Sequence, residues 1–331
     1  MHAWISAILI SGPGDTTQRQ QQSVLHYDHA VRGLKRALLS ESPIDENEWK
    51  RATALLCHAV ELLQPVQSPQ LARSHLQGAH YMFQLASNNS ELPASEHDTL
   101  LFEAYIMRAA TNCLLHQDIH LALPFEHIRQ MSAMHQRALS RLNLEVSTQT
   151  CPWLGVATLD LMDAVYKVAW LNAHLPLSDA NRIHAIDLWR FLITTNEETS
   201  QDAGSTQDER DKAVRCVYRF ACQLIARQFL PDAYPTNVNK DATIDKCIRD
   251  LDMLTRSPCD DSSLQWPLIV FGAFATTQEH QSLCSMIAAR FSPRVPQQTI
   301  DGILAFWEMA RQIEDERLRF RDCEILRSIL L

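Results

Sequence analysis

Apolar residues recur along most of the chain at the three- and four-residue spacing of helix faces. The clearest case follows Thr206-x-x-Glu209, a capping box that favours a helix start. The helix after it is predicted to bury one apolar stripe and to expose the polar positions opposite. The apolar stripe consists of Val214, Val217, Tyr218, Ala221, Leu224, Ile225 and Phe229, and the polar face of Arg215, Arg219, Gln223 and Arg227.

Other helix starts recur at intervals typical of antiparallel helices. Ser68-Pro69 places a capping residue before a proline, Ser95-x-x-Asp98 is a second capping box, and Ser178 caps a further apolar segment. The apolar run of residues 266–275 (WPLIVFGAFA) fits a buried strand or a buried helix. Pro267 at a first helical position, and the lack of another convincing strand, favour the helix. The predicted fold class is therefore all-α, a single large bundle-like domain of antiparallel helices.

The polar stretches between these helices are predicted to be loops within one domain. They cover residues 196–208, 231–241 and 257–263. The first is acidic and poor in apolar residues, so we expect a mobile loop there. The organisation predicted is a short N-terminal segment over residues 1–22 and a helical domain over 23–331. Residues 1–10 are apolar but too short for a membrane span and lack a basic flank, so neither a membrane nor secretion is expected.

The low glycine content and the negative net charge argue against several fold and function classes. There are only 8 glycines in 331 residues, where average usage of about 7% corresponds to roughly 23. Tight β-hairpins and nucleotide-binding loops need glycine, which argues against an all-β fold, a Rossmann domain or a P-loop enzyme. Lys and Arg number 30 against 39 Asp and Glu, a net charge of −9 without a basic run. Direct binding of nucleic acid is therefore not expected.

The cysteines and histidines do not form a recognisable metal site. None of the 9 cysteines belongs to a CxxC pair, which favours small core residues in a reducing compartment. His116 and His120 share a helix face as the ligands of HExxH do, with His127 and His135 following, but Gln117 cannot act as a general base. The alternative is a solvated or hydrogen-bonded histidine pair. We expect no metal and no cofactor.

Asp163 and Tyr166 lie inside an apolar helical pattern, as does Asp160. A carboxylate facing a core has a raised pKa and can act as a general acid. The alternative is a surface carboxylate paired with Lys167, four residues on.

His75 and His80 complete the candidate polar groups. His75 shares a face with Ala79 and Met82, so it either points into a cavity or is a satisfied core histidine. The candidates for a polar cavity are therefore His75, His80, His116, Asp163 and Tyr166, and no catalytic motif links them.

Residues 264–291 (LQWPLIVFGAFATTQEHQSLCSMIAARF) resemble a signature of the fungal-specific transcription factor domain. This is the helical regulatory region that follows the DNA-binding zinc cluster in fungal six-cysteine regulators. The matching residues are Trp266, Pro267, Leu268 and Gly272, followed by a helix that begins around Thr277. Residues 151–171, 23–39 and, loosely, 303–331 resemble further segments of the family.

The resemblance implies the regulatory fold without the module that reads DNA. The family's six-cysteine cluster lies upstream of the helical region, and residues 1–22 contain no cysteine. Alternatively, the cluster is encoded upstream of Met1. The family supplies no catalytic residues.

Two functions follow from the resemblance. The first is a regulator-like helical domain, nuclear or cytoplasmic, that acts through a small hydrophobic metabolite or a protein partner, with a tie to secondary metabolism. The second is the same fold recruited as a cofactor-free cyclase or pericyclase, which needs only a shaped apolar cavity and one or two hydrogen-bond donors. We favour the first function, so the protein is expected not to be an enzyme.

Overall fold

A computed structural model of the chain describes residues 16–39, 50–57, 69–88, 96–114, 123–142, 159–194, 206–230, 240–256, 264–291 and 297–313. All regular structure in these ranges is helical, which confirms the all-α prediction. The helices are α1 (Thr16–Leu39), α2 (50–57), α3 (Pro69–Asn88), α4 (Glu96–Asn112), α5 (His127–Arg141), α6 (Leu159–Ala173), α7 (Asp179–Thr194), α8 (Thr206–Ala226), α9 (Lys240–Thr255), α10 (Gln265–Phe274), α11 (Gln278–Phe291) and α12 (Gln297–Gln312). Within the described ranges, none of these helices has the length and apolar character that a membrane span requires.

Most of the predicted loops lie outside the described residues. The exceptions are the last residues of the first two predicted loops. Helix α8 begins at Thr206 and α9 at Lys240, so residues 206–208 and 240–241 are helical rather than loop. The mobility expected for the first loop stays a prediction.

Packing divides the chain into two compact units, which we describe separately. The first comprises Met1–Ala109, Gln130–Ser147 and Leu331, and the second Ala110–Arg129 and Thr148–Leu330. A division by packing does not by itself define separate domains. The single domain predicted over residues 23–331 therefore stays a prediction.

Aromatic side chains form the core of the first unit. The Phe83 ring lies 4.4 Å from that of Phe102 and 5.4 Å from that of Tyr105, centroid to centroid. The buried Arg51 guanidinium lies 5.6 Å from the Phe83 centroid, a cation–π distance. These contacts join α2, α3 and α4 of this unit.

Helix α8 lies at the centre of the second unit and packs against α6, α7, α9 and α10. Every residue from 217 to 226 is buried. The predicted polar face is therefore wrong at Arg219 and Gln223, which α8's neighbours cover. Gln223 Nε2 donates to the Leu192 carbonyl oxygen at 2.9 Å, which satisfies an acceptor in the last turn of α7.

The apolar run at residues 266–275 forms helix α10, as predicted, and the strand alternative is wrong. Pro267 is its third residue rather than its first, still among the positions whose N–H has no partner within a helix. All residues from Trp266 to Phe274 are buried. A helix that is apolar on every side is stable only when it is packed on every side.

Gly272 allows α12 to approach α10 closely. A Cβ atom added at Gly272 would lie 2.0 Å from Trp307 Cε2. The fully buried Trp307 donates from Nε1 to the Ile269 carbonyl oxygen at 2.9 Å. The indole therefore occupies the space that any larger residue at position 272 would need.

Polar contacts join α9 to α11. Arg290 Nη2 lies 2.7 Å from Asp252 Oδ1, and Nη1 donates to Thr255 Oγ1 at 3.0 Å. His280 Nε2 lies 3.3 Å from Asp245 Oδ1. Thr277 Oγ1 accepts from the His280 N–H at 3.2 Å, so α11 begins at the predicted position.

Candidate functional site

Four polar or aromatic side chains follow one another every three or four residues along α6. We call Asp163, Lys167, Trp170 and His174 the α6 stripe; His174 comes directly after the helix ends at Ala173. Side chains at this spacing share one face of a helix. Lys167 interrupts an otherwise apolar and buried run over residues 164–169. The stripe therefore places a charge within the apolar packing of the second unit.

The Lys167 ammonium is held by two carboxylates and one aromatic ring. Its Nζ lies 2.8 Å from Asp163 Oδ2, 3.3 Å from Glu126 Oε2 and 4.9 Å from the Phe125 ring centroid. Only 11% of the Lys167 side chain is exposed. These contacts offset the free-energy cost of removing the ammonium from water.

Asp163 keeps one carboxylate oxygen free for a further contact. Its Oδ1 is buried and has no hydrogen-bond partner, while Oδ2 pairs with Lys167. Burial raises the pKa of Asp163, and the nearby Lys167 reverses this only in part. The structure thus combines the two alternatives from the sequence: the pair with Lys167 forms, but the carboxylate is largely buried.

Glu126 connects this charged cluster to solvent. Its side chain is 41% exposed, and Oε2 also lies 3.9 Å from Arg129 Nη1. Displacing an exposed carboxylate from Lys167 costs less than displacing a buried one, because the released group is rehydrated. Glu126 is therefore the more easily displaced of the two carboxylates that pair with Lys167.

Aromatic rings line the other end of the stripe. The Trp170 and His174 rings stack with centroids 3.6 Å apart, and His174 Nδ1 donates to the Trp170 carbonyl oxygen at 2.7 Å. The Phe125 ring lies 5.2 Å from Trp170 and 4.8 Å from His184. Trp170 Nε1 is buried and has no hydrogen-bond partner. The site thus places an unused donor and an unused acceptor, Asp163 Oδ1, on one helix face beside flat apolar surfaces.

The Tyr166 side chain connects α6 to the segment of residues 123–127. The fully buried phenol donates to the Leu123 carbonyl oxygen at 3.4 Å, and its ring lies 5.8 Å from that of His127. Leu123 and His127 flank Phe125 and Glu126, so these contacts position both residues against the stripe. The geometry makes Tyr166 a positioning residue.

The remaining predicted site residues lie elsewhere. His75 and His80 are half-buried on α3 in the first unit, where burial lowers the pKa of each. The His80 ring stacks at 6.2 Å against that of Tyr105. His116 and its neighbour His120 lie outside the described residues. The described candidates therefore fall on two separate helices, with His75 and His80 on α3 and Asp163 and Tyr166 on α6.

The two histidines that follow the His116 pair are both buried. His135 Nε2 lies 3.1 Å from Glu103 Oε1 in the first unit, and both side chains are almost fully buried. His127 lies against Tyr166 in the second unit. In the described part of the chain, no three His, Cys, Asp or Glu side chains lie close enough to hold a metal ion.

The signature residues belong to the core. Trp266 is buried with its ring stacked on Tyr218 at 5.7 Å, and Leu268 is also buried. Gly272 is required by Trp307. These residues determine how α10 packs against its neighbouring helices.

Sequence reasoning missed several members of the site and considered Lys167 only as a surface partner of Asp163. The missed residues are Phe125, Glu126, Trp170, His174 and His184. Glu126 and Lys167 are 41 positions apart, so no local spacing connects them. A signal for the stripe was present, because an isolated lysine inside an apolar helical run needs a buried partner.

Comparison with protein-family models supports the resemblance seen in the sequence. The family model described as "Fungal specific transcription factor domain" matches residues 5–316. No curated protein and no solved structure matches the chain.

Proposed function

Because the chain belongs to the family of fungal-specific transcription factor domains, we propose that it acts as the helical regulatory region of a transcription regulator and responds to a small hydrophobic metabolite or a protein partner. The family match over nearly the whole chain is the observation that carries this proposal. The net charge of −9 supports action without direct contact to DNA phosphates. The regulator works in the nucleus or cytoplasm and controls genes of secondary metabolism.

The α6 stripe is the surface that we assign to the metabolite. Phe125, Trp170 and His174 offer flat rings on which an aromatic or fused-ring molecule stacks. Lys167 binds an acidic group that replaces Glu126, or Asp163 Oδ1 accepts from a hydroxyl of the ligand. The ligand class is therefore a small aromatic molecule that carries an acid or a hydroxyl group.

Binding is tested by the melting temperature of the purified protein with a panel of aromatic hydroxy acids and phenols. At least one compound should raise the Tm of the wild type and raise that of Trp170→Ala and Lys167→Met much less. Met253→Ala, an exposed change on α9, is the matched control and should respond as the wild type does. If no compound shifts the wild type and affinity capture returns no protein partner, the proposed mode of action is wrong.

Regulation is tested by deleting the gene and measuring transcripts and metabolites together. A regulator should lower the transcripts of a set of biosynthetic genes. Restoring the Lys167→Met variant should leave these transcripts low, whereas restoring Met253→Ala should recover them.

One observation favours the alternative, a recruited cofactor-free cyclase or pericyclase. Asp163 is a largely buried carboxylate whose pKa is raised by burial, a property that suits a general acid. In that case deletion should stall a single intermediate while transcript levels stay normal. The same experiment therefore separates the two functions.

A further inference from the structure

Helix α7 carries an apolar stripe that is exposed to solvent in the part of the chain that the structure describes. The helix buries only Ala185, Leu188, Trp189 and Leu192. Ile183, Ile186 and Ile193 are 61%, 37% and 41% exposed. Isolated exposed apolar residues are ordinary, but aligned isoleucines on one helix mark an interaction surface.

These isoleucines and Arg190 fall on one line along the helix. Positions 183, 186, 190 and 193 are spaced by three, four and three residues, the pattern of a coiled-coil seam. They lie within an arc of about 80° of the helix circumference. We call these four residues the α7 seam.

We propose that the α7 seam binds the same seam of a second copy of this chain in an antiparallel, two-fold symmetric helix pair. A two-fold axis beside position 188 places Ile183 opposite Ile193 of the second copy. The same register places Ile186 opposite the aliphatic stem of Arg190. One arrangement therefore covers every isoleucine of both seams, as a self-complementary interface requires.

Charge complementarity selects this orientation. In the antiparallel register Arg190 lies opposite Ile186 of the second copy, so its guanidinium reaches the neighbouring Asp187 of that copy. The two-fold axis forms the same ion pair a second time, with the roles of the copies exchanged. A parallel pair would instead place Arg190 opposite Arg190. Within one chain Arg190 Nη1 and Asp187 Oδ1 lie 3.3 Å apart but are 72% and 62% exposed, so they are free to exchange partners.

The length of α7 limits the area that the dimer interface can bury. A helix of 16 residues is about 24 Å long, and one such pair buries less than the roughly 1,200 Å² of a standard stable interface. The dimer is therefore expected to dissociate in the micromolar range.

Sedimentation equilibrium of the full chain across this concentration range tests the proposal. The wild-type mass should rise from 37.7 kDa towards twice that value. Ile186→Glu should keep the chain monomeric, whereas Met253→Glu, at an exposed position on α9, should not. Circular dichroism should show unchanged helix content, because both positions are exposed.

Charge exchange tests the register. Asp187→Arg and Arg190→Asp each bring like charges together and should weaken the dimer about tenfold or more. The double variant D187R/R190D should recover the wild-type dissociation constant. A wild type that stays monomeric, a dimer that Ile186→Glu leaves intact, or a double variant weaker than either single variant would each overturn the proposal.

Discussion

Among the described glycines, Gly272 leaves the least space for an added methyl group. A Cβ at this position would lie 2.0 Å from Trp307, whose indole is buried and bonded to the Ile269 carbonyl. Gly272→Ala is therefore expected to lower the free energy of unfolding by about 3 kcal/mol through overpacking. Urea denaturation followed by circular dichroism measures this change.

Gly78 is the matched control for Gly272, because it is also helical but has no atom within 4 Å of an added Cβ. Alanine exceeds glycine in helix propensity, so Gly78→Ala should raise the free energy of unfolding by up to about 1 kcal/mol. An equal loss in both variants would mean that Trp307 is not the cause.

Asp163 should make stability depend on pH with a known sign. Burial raises the pKa of Asp163 in the folded state. When the pH rises, the unfolded chain therefore loses this proton at a lower pH than the folded chain does. The free energy of unfolding falls over this interval and levels off above the folded-state pKa. Asp163→Asn does not titrate and should gain stability relative to the wild type as the pH rises through and above the ordinary aspartate pKa of about 3.9. Urea denaturation across this range measures the difference.

The control for this titration is Asp160→Asn, at an exposed position on the same helix. The gain in the free energy of unfolding of Asp163→Asn over the wild type should grow as the pH rises. The corresponding gain for Asp160→Asn should grow less. A difference that shrinks as the pH rises would contradict the assignment of a raised pKa to Asp163.

At the residue scale, local spacing predicts pairs within one helix. The Asp163–Lys167 pair was predicted from its four-residue separation and is present at 2.8 Å. The partners Glu126 and Phe125 belong to a distant segment, and their approach to Lys167 follows from packing.

At the scale of elements, Ser178 starts α7 as predicted. Its Oγ accepts from the Asn181 N–H at 3.3 Å. Because α7 is largely exposed, little tertiary packing replaces this cap, and Ser178→Ala should lower the free energy of unfolding by about 1 kcal/mol. Hydrogen exchange at the Asn181 amide should also become faster.

Ser178→Asp is the control for the cap, since a carboxylate also accepts from the helix start and interacts favourably with the helix dipole. Its stability should remain close to that of the wild type. A loss equal to that of Ser178→Ala would show that the hydroxyl acts through some other contact.

Element type was predicted well because its causes are local. Pro267 and the apolar run predicted helix α10, and Thr277 marks the start of α11. The faces of α8 were predicted less well, because Arg219 and Gln223 are covered by neighbouring helices. Periodicity identifies the more apolar face of a helix, but the number of neighbours around it is a property of the whole unit.

At the scale of the molecule, burial separates the cysteine thiols into two classes. Among the described cysteines, Cys57, Cys113, Cys222, Cys247 and Cys284 are buried and Cys216 is half-buried. Burial raises the pKa of Cys247 and of Cys284 to about 12. Because the thiolate is the nucleophile, iodoacetamide should modify Cys216 in the native protein before these five.

Peptide mapping by mass spectrometry after increasing reaction times measures this order. In concentrated urea these six described thiols should react at similar rates, which controls for intrinsic reactivity. If Cys284 reacted in the native protein as fast as Cys216, the second unit would not be packed as described.

The sequence by itself determined the helical class, several helix starts and the family resemblance at Trp266. Capping bonds and apolar periodicity act over about four residues, so these features can be recognised from neighbouring positions. Only the tertiary structure decided that Glu126 meets Lys167 across 41 positions and that Trp307 meets Ile269 across 38. Such contacts arise from the packing of whole helix faces, for which local spacing carries no information.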